Sequence, residues 1–145
     1  RYRIVATDIS EPALDKAKKG EYDINDIQTI KVKDLKDYFL RTGDNYVVCD
    51  RLRQHVNFSA YDLLDNYSCS PQESIFGNFD LVVCCNLLFY YKPEYQRYII
   101  HKLVNSLAKK GYLVTGETEK HVVMKVDDLR VSVPTPPIFQ KKMEV

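Results

Sequence analysis

Glycine is scarce in this sequence, 5 in 145 residues, and no two glycines stand in a G-x-G arrangement. No glycine-rich ligand turn therefore lies within it. Charge of one sign is also missing. The 21 Lys and Arg against 20 Asp and Glu leave a net charge of +1, no basic field, and no support for nucleic-acid binding. No apolar run is long enough to span a bilayer, which argues against membrane insertion, and no stretch reads as a signal peptide. The four cysteines (Cys49, Cys69, Cys84, Cys85) show no C-x-x-C spacing. Cys84 and Cys85 are neighbours in a strand pattern and point to opposite faces, so they are poorly placed to share one ion. His55, His101 and His121 are scattered, and no metal site is expected. The cysteines read instead as small buried hydrophobes in a reducing cytosol. No internal repeat or low-complexity segment is present.

What is there is ordinary globular composition, 45% hydrophobic and 28% charged, at a one-domain length. The central stretch is Phe79–Tyr91, F-D-L-V-V-C-C-N-L-L-F-Y-Y, behind the turn-forming pair Gly77-Asn78. Its nearly continuous apolar run predicts a strand buried on both faces of a sheet. Asn86 breaks the run. Pro93 then opens a helical pattern to Lys110, with Tyr95, Ile99, Leu103 and Leu107 on one face and Gly111 as its stop. Tyr112–Gly116 reads as the next strand, which completes a βαβ unit. Such sheets bind ligands at the carboxyl ends of their strands.

The same motif opens the chain. Tyr2–Thr7 predicts a strand ending on Asp8, followed by a helix capped by Ser10 and closed by Gly20. A carboxylate at that place can accept from both ribose hydroxyls, or be a plain turn residue. Between these units, Val32–Leu40 reads as a short helix, Tyr46–Cys49 and Val56–Phe58 as strands, and residues 66–78 as a surface loop. Asp62, like Asp8 and Asn86, then stands just past a strand. Val122–Val126 and Pro137–Lys142 read as a closing antiparallel pair, joined by a loop with Pro134 and Pro136.

Taken in order, V-A-T-D-I-S, L-R-Q-H-V-N-F-S-A-Y-D-L-L, F-D-L-V-V-C-C-N-L-L-F-Y-Y and K-K-G-Y-L-V-T-G-E-T-E resemble the CheR-type chemotaxis receptor methyltransferases. The resemblance implies an α/β fold, a Rossmann-like methyltransferase sheet flanked by helices. It implies binding of S-adenosylmethionine and methyl transfer to glutamate side chains of chemoreceptors, in the cytoplasm, with S-adenosylhomocysteine as product. The partner would be the chemoreceptor cytoplasmic domain or another acidic protein. Carried over by position, Asp8 holds the ribose, and Asp62 and Leu63 match an Asn-Leu pair beside the adenine. Cys85 and Asn86 match an Arg-Asn pair next to the cofactor, with the Arg and its five-donor fork absent here. Tyr90 matches a tyrosine lining the methyl-transfer site. By its place alone it reads equally as a core aromatic. Glu117-Thr118-Glu119 matches a loop read His-Ser-Glu.

The resemblance covers most of the chain and implies that residues 1–145 are part of one methyltransferase domain, with a small β-subdomain at about 36–57. The family's first strand and glycine-rich turn are expected before Arg1. This chain would then be the C-terminal part of such an enzyme and catalytically weak or inactive alone. Its two open strand edges invite re-pairing or self-association. A methyltransferase-like fold kept only for protein interaction is the competing reading. Tether-binding members carry a longer glycine-rich loop where this chain has only Arg41-Thr42-Gly43-Asp44. A receptor tether peptide titrated into this protein is therefore expected to give no measurable binding, and a saturable signal would contradict tether independence.

Overall fold

The computed structural model describes residues 2–68, 70–74 and 77–143. The chain forms two compact units, Arg1–Asp62 and Leu63–Val145.

In the first unit, β1 (Ile4–Asp8) leads into α1 (Glu11–Lys19). Ser10 caps this helix, its Oγ accepting from the Ala13 N–H at 3.4 Å, and Gly20 closes it in the left-handed conformation at φ 64°. β2 (Glu21–Tyr22), α2 (Val32–Tyr38), β3 (Phe39–Thr42), β4 (Asn45–Val48), α3 (Asp50–Arg53) and β5 (Val56–Ala60) follow. β1 and β5 pair in parallel, with Asp8 opposite Ala60. β2, β4 and β3 make a separate antiparallel sheet. Its β3–β4 hairpin turns on Gly43 at φ 62°, the first of two loop residues, where a type II′ turn takes glycine. The expected helix over Val32–Leu40 is shorter than predicted, because Phe39 and Leu40 pair with β4. Arg53 ties the unit together, its Nη2 donating to the Lys18 carbonyl at the end of α1 at 2.9 Å.

In the second unit, β6 (Phe79–Cys84), α4 (Pro93–Ser106) and β7 (Leu107–Thr115) form the expected βαβ unit. α5 (Lys120–Val123), β8 (Leu129–Val133) and β9 (Ile138–Lys141) complete it. The sheet order is β6-β7-β9-β8, with β6 and β7 parallel and the other pairs antiparallel. One face packs on α4 through Cys84, Leu113 and Phe139 from the sheet and Ile99, Ile100, Leu103 and Val104 from the helix. Each such side chain contributes about 1.5–3 kcal/mol of burial free energy.

Four expectations are corrected. First, β6 is not buried on both faces: Val82 and Cys84 enter the core, whereas Leu81 and Val83 stand 55% and 65% exposed. Among the described residues of this unit β6 is the sheet's edge strand, and α4 packs on the face that holds Val82 and Cys84.

Second, α4 stops at Ser106 rather than running to Lys110. Tertiary bonds override the helical pattern there, since Gln140 Nε2 donates to the Lys110 carbonyl at 2.9 Å and Lys141 Nζ to the Leu107 carbonyl at 3.1 Å. Leu107 pairs with Phe79, and the register then shifts so that Leu81 meets Tyr112. Gly111 is needed for a close approach and not as a helix stop, because a Cβ there would lie 2.8 Å from the Phe79 carbonyl oxygen.

Third, the closing pair is β8 with β9, and Val122 and Val123 lie in α5 instead of a strand. A short apolar run does not distinguish the two by periodicity. Fourth, among the described cysteines only Cys84 is buried, Cys49 being half-buried and Cys85 exposed, while Cys69 lies outside the described residues. The loop predicted at 66–78 contains a 3₁₀ turn at Gln72–Ser74, and parts of it also lie outside the described residues.

Among the described residues, β1 has a ladder only with β5, and β6 only with β7, so each leaves an unpaired edge. Lys110 sits at φ 63°, in the left-handed region that costs a residue with a Cβ about 1–2 kcal/mol. Lys110→Gly is therefore expected to stabilise the protein by up to about 1 kcal/mol in urea unfolding, and Gly111→Ala to destabilise it by about 1–3 kcal/mol. Destabilisation by Lys110→Gly would instead restore the reading in which α4 runs to Lys110 and Gly111 is its stop, since glycine weakens a helix.

Candidate functional site

In the first unit, Asp8 is the last residue of β1, and its carbonyl accepts from the Tyr61 N–H at 3.0 Å just past β5. The two parallel strands therefore end together, with Asp8 and Asp62 at the same end. Asp8 Oδ1 accepts from the Ser10 N–H at 2.8 Å, which aims the carboxylate over the start of α1. Its Oδ2 makes no hydrogen bond among the described residues, and the side chain is exposed. Asp8 thus keeps one carboxylate oxygen without a hydrogen-bond partner among the described residues, at the carboxyl end of β1.

In the second unit, Leu63 opens a turn held by α4. Lys102, nearly buried, donates from Nζ to the carbonyls of Leu63 and Asp65, and Tyr98 Oη donates to the Asp65 carbonyl at 3.0 Å. The Asp65 carboxyl lies below the usual carboxylate range, chiefly because it accepts from the Tyr67 N–H and then from the Ser68 hydroxyl.

Cys85, Asn86 and Tyr90 share the turn at the carboxyl end of β6. Asn86 takes φ 59°, a left-handed value that asparagine tolerates better than most residues. The turn is fastened at three points. Leu88 is 1% exposed and anchors it in the core. Gln96 of α4 donates from Nε2 to the carbonyls of Leu88 and Tyr91, both at 3.0 Å. Glu119, 1% exposed, accepts the N–H groups of Asn86 and Gly116 on Oε2 at 2.9 and 3.0 Å, and those of Leu87 and Leu88 on Oε1 at 2.6 Å each. The result is a firmly held turn that presents Asn86, Phe89 and Tyr90 to solvent. Tyr90 is 76% exposed, so it is not the core aromatic that its position alone allowed. Gly116 lets the Asn86 side chain lie close, since a Cβ there would come within 2.9 Å of Oδ1.

Cys85 carries no cation to this turn. Its thiol pKa is raised by partial burial and by the charge of Glu119, and Sγ faces the Val114 carbonyl at 3.9 Å. Cys84, on the opposite face, is pushed up to about 12 by burial and then by Glu119. Glu119, Gln96 and Gly116 were not singled out as site residues by sequence. A usable signal existed for one of them, because Gly116-x-x-Glu119 has capping-box spacing. A surface cleft of about 500 Å³ beside α4 and α5, lined by Arg97, His101, His121 and Lys125 among others, includes none of the predicted residues. Among the described residues no group of three or more His, Cys, Asp or Glu could hold a metal ion, and no helix is long and apolar enough to cross a membrane.

The architecture is that of an α/β methyltransferase. It is similar to the N-methyltransferase NodS from Bradyrhizobium japonicum, solved with S-adenosyl-l-homocysteine, with a TM-score of 0.52 and 16% identity over 98% of this chain and 67% of that one. The family follows from the sequence. The model for the CheR methyltransferase, SAM binding domain, matches residues 1–135, and the chain belongs to that family. It is 36% identical over 119 residues to chemotaxis protein methyltransferase 1 of Pseudomonas aeruginosa, covering 81% of this chain and 41% of that protein. It is 30% identical to the chemotaxis protein methyltransferases of Listeria innocua and Salmonella typhimurium, covering 82% of this chain in each case and 43% and 41% of those proteins. The chain thus spans about two fifths of the length of the curated relatives it matches.

The two neighbouring thiols make a direct check of this geometry. In native protein at pH 8, a short pulse of iodoacetamide read by peptide mass spectrometry is expected to label Cys85 well ahead of Cys84. With its pKa near 12, only about one Cys84 thiol in ten thousand is ionised at that pH. Equal labelling would contradict the burial of Cys84.

Proposed function

We propose that this chain is part of a protein-glutamate O-methyltransferase that moves a methyl group from S-adenosylmethionine to glutamate carboxylates of chemoreceptors in the cytoplasm. The observation that carries the reading is the family match over residues 1–135, together with the firmly held Asn86 turn at a strand's carboxyl end. Asp8 would hold the ribose hydroxyls, Asp62 and Leu63 the adenine, and Asn86 the region nearest the sulfur. Tyr90 would line the path of the acceptor.

S-adenosylmethionine would supply an electrophilic sulfonium methyl to a carboxylate oxygen, with a neutral ester and a neutral thioether as products. No residue need move a proton, because a glutamate with a pKa of about 4.3 is already ionised at pH 7. The protein's work is alignment and exclusion of water. The exposed ring of Tyr90, tilted against Phe89 with centroids 4.3 Å apart, suits that role.

Cys85, where the family has Arg, favours a second reading: a methyltransferase-like module kept for binding a partner protein. The unpaired edges of β1 and β6 are also suited to accept a further strand, from upstream in the same protein or from a second copy.

Calorimetric titration of S-adenosylhomocysteine into this chain and into a version extended upstream separates these readings. Binding by the extended version is expected, with Asp8→Ala weakening it about 10- to 100-fold, the range for losing hydrogen bonds to a charged group. Absence of binding in the extended version would favour the interaction module.

A further inference from the structure

Glu119 is the feature that no assigned role explains. It is 1% exposed, and among the described residues no cation pairs with it. A carboxylate taken out of water without a counter-ion is strongly disfavoured unless hydrogen bonds replace the lost hydration. Here they do: four backbone N–H groups converge on its two oxygens. Three of the four belong to consecutive residues, Asn86, Leu87 and Leu88, and the fourth to Gly116 just past the neighbouring strand. Such a site needs an acceptor on both sides. Glutamine has an acceptor on one side only and would turn an NH2 group against N–H donors on the other.

We propose that Glu119 is a positioning residue: its carboxylate clamps the backbone of the turn after β6 and so sets the left-handed Asn86 where a ligand at the strand ends would meet it. The clamp itself rests only on the geometry, whereas its consequence for the cofactor rests on the methyltransferase reading above. The clamp is local to this turn. It acts through backbone amides, so it survives any change of side chain at Cys85 or Tyr90.

Glu119→Gln tests both halves. In amide exchange followed by NMR, protection of Asn86, Leu87 and Leu88 is expected to fall about tenfold or more, while Ile99 and Leu103 in α4 keep theirs. The Leu87 and Leu88 amide protons, shifted downfield by short bonds to a carboxylate, should move upfield. In the extended protein, Glu119→Gln is expected to weaken S-adenosylhomocysteine binding. It should add little when Asn86→Ala is already present and add fully to Asp8→Ala, because only Asn86 lies on its path of action. A destabilised core control, Leu113→Ala, should leave that affinity unchanged wherever it remains folded. Uniform loss of protection across the unit, or unchanged exchange at the three amides, would overturn the clamp. Additivity with Asn86→Ala would overturn positioning through that residue. If the unmutated extended protein bound no S-adenosylhomocysteine, the methyltransferase reading would fall, and the exchange result would decide the clamp alone.

Discussion

The carboxylate of Glu119 joins the carboxyl ends of two parallel strands that the chain separates by a helix. β6 and β7 are parallel, so their ends point the same way, and each must leave the sheet through a turn whose first N–H groups lack ladder partners. In this protein those groups turn toward one buried acceptor. The geometry has consequences on both faces. Leu88 is drawn into the core beneath, Asn86 is held in a left-handed conformation above, and the negative charge adds to burial in raising the pKa of both adjacent thiols. Gly116 stands close to the same group, because a Cβ there would lie 2.9 Å from Asn86 Oδ1 and 3.0 Å from Glu119 Oε2, so these side chains would have to give way.

The remainder of the second unit supports that turn. α4 buries Ile99, Ile100, Leu103 and Val104 against the sheet, and its polar flank reaches sideways to hold neighbouring loops. Gln96 secures the segment after β6, and Lys102 with Tyr98 secures the segment around Leu63. A single helix therefore orients two of the stretches to which the family resemblance assigns ligand contacts. The first unit uses a simpler device at its own strand end. There Asp8 is aimed by one bond to the Ser10 amide, and Ser10 in turn caps α1.

Much of this was legible in the residues because local physics specifies it. Ser10 and Gly20 bracket α1 by capping chemistry, Gly20 taking the positive φ that closes it. The βαβ unit follows from an apolar run, a helical period and a second apolar run. Asp8, Asp62 and Asn86 stand at or just past strand ends, and the order of the motifs carries the family.

Other features depended on partners far away in sequence. The end of α4 is set by Gln140 and Lys141, more than thirty residues on, which take the carbonyls of Lys110 and Leu107, and no helical period can reveal that. The exposure of Leu81 and Val83 depends on which faces of β6 carry a helix, not on their hydrophobicity. Val122 and Val123 lie in α5, which follows directly on the 3₁₀ turn Glu117–Glu119, and their short apolar run does not distinguish helix from strand. Strand ends, caps and turns are properties of a few adjacent residues, so the sequence by itself determined where the polar residues at the strand ends would lie. The sheet edge, the true helix end and the four-fold grip of Glu119 are contacts between residues distant in the chain, and only the tertiary structure could decide them.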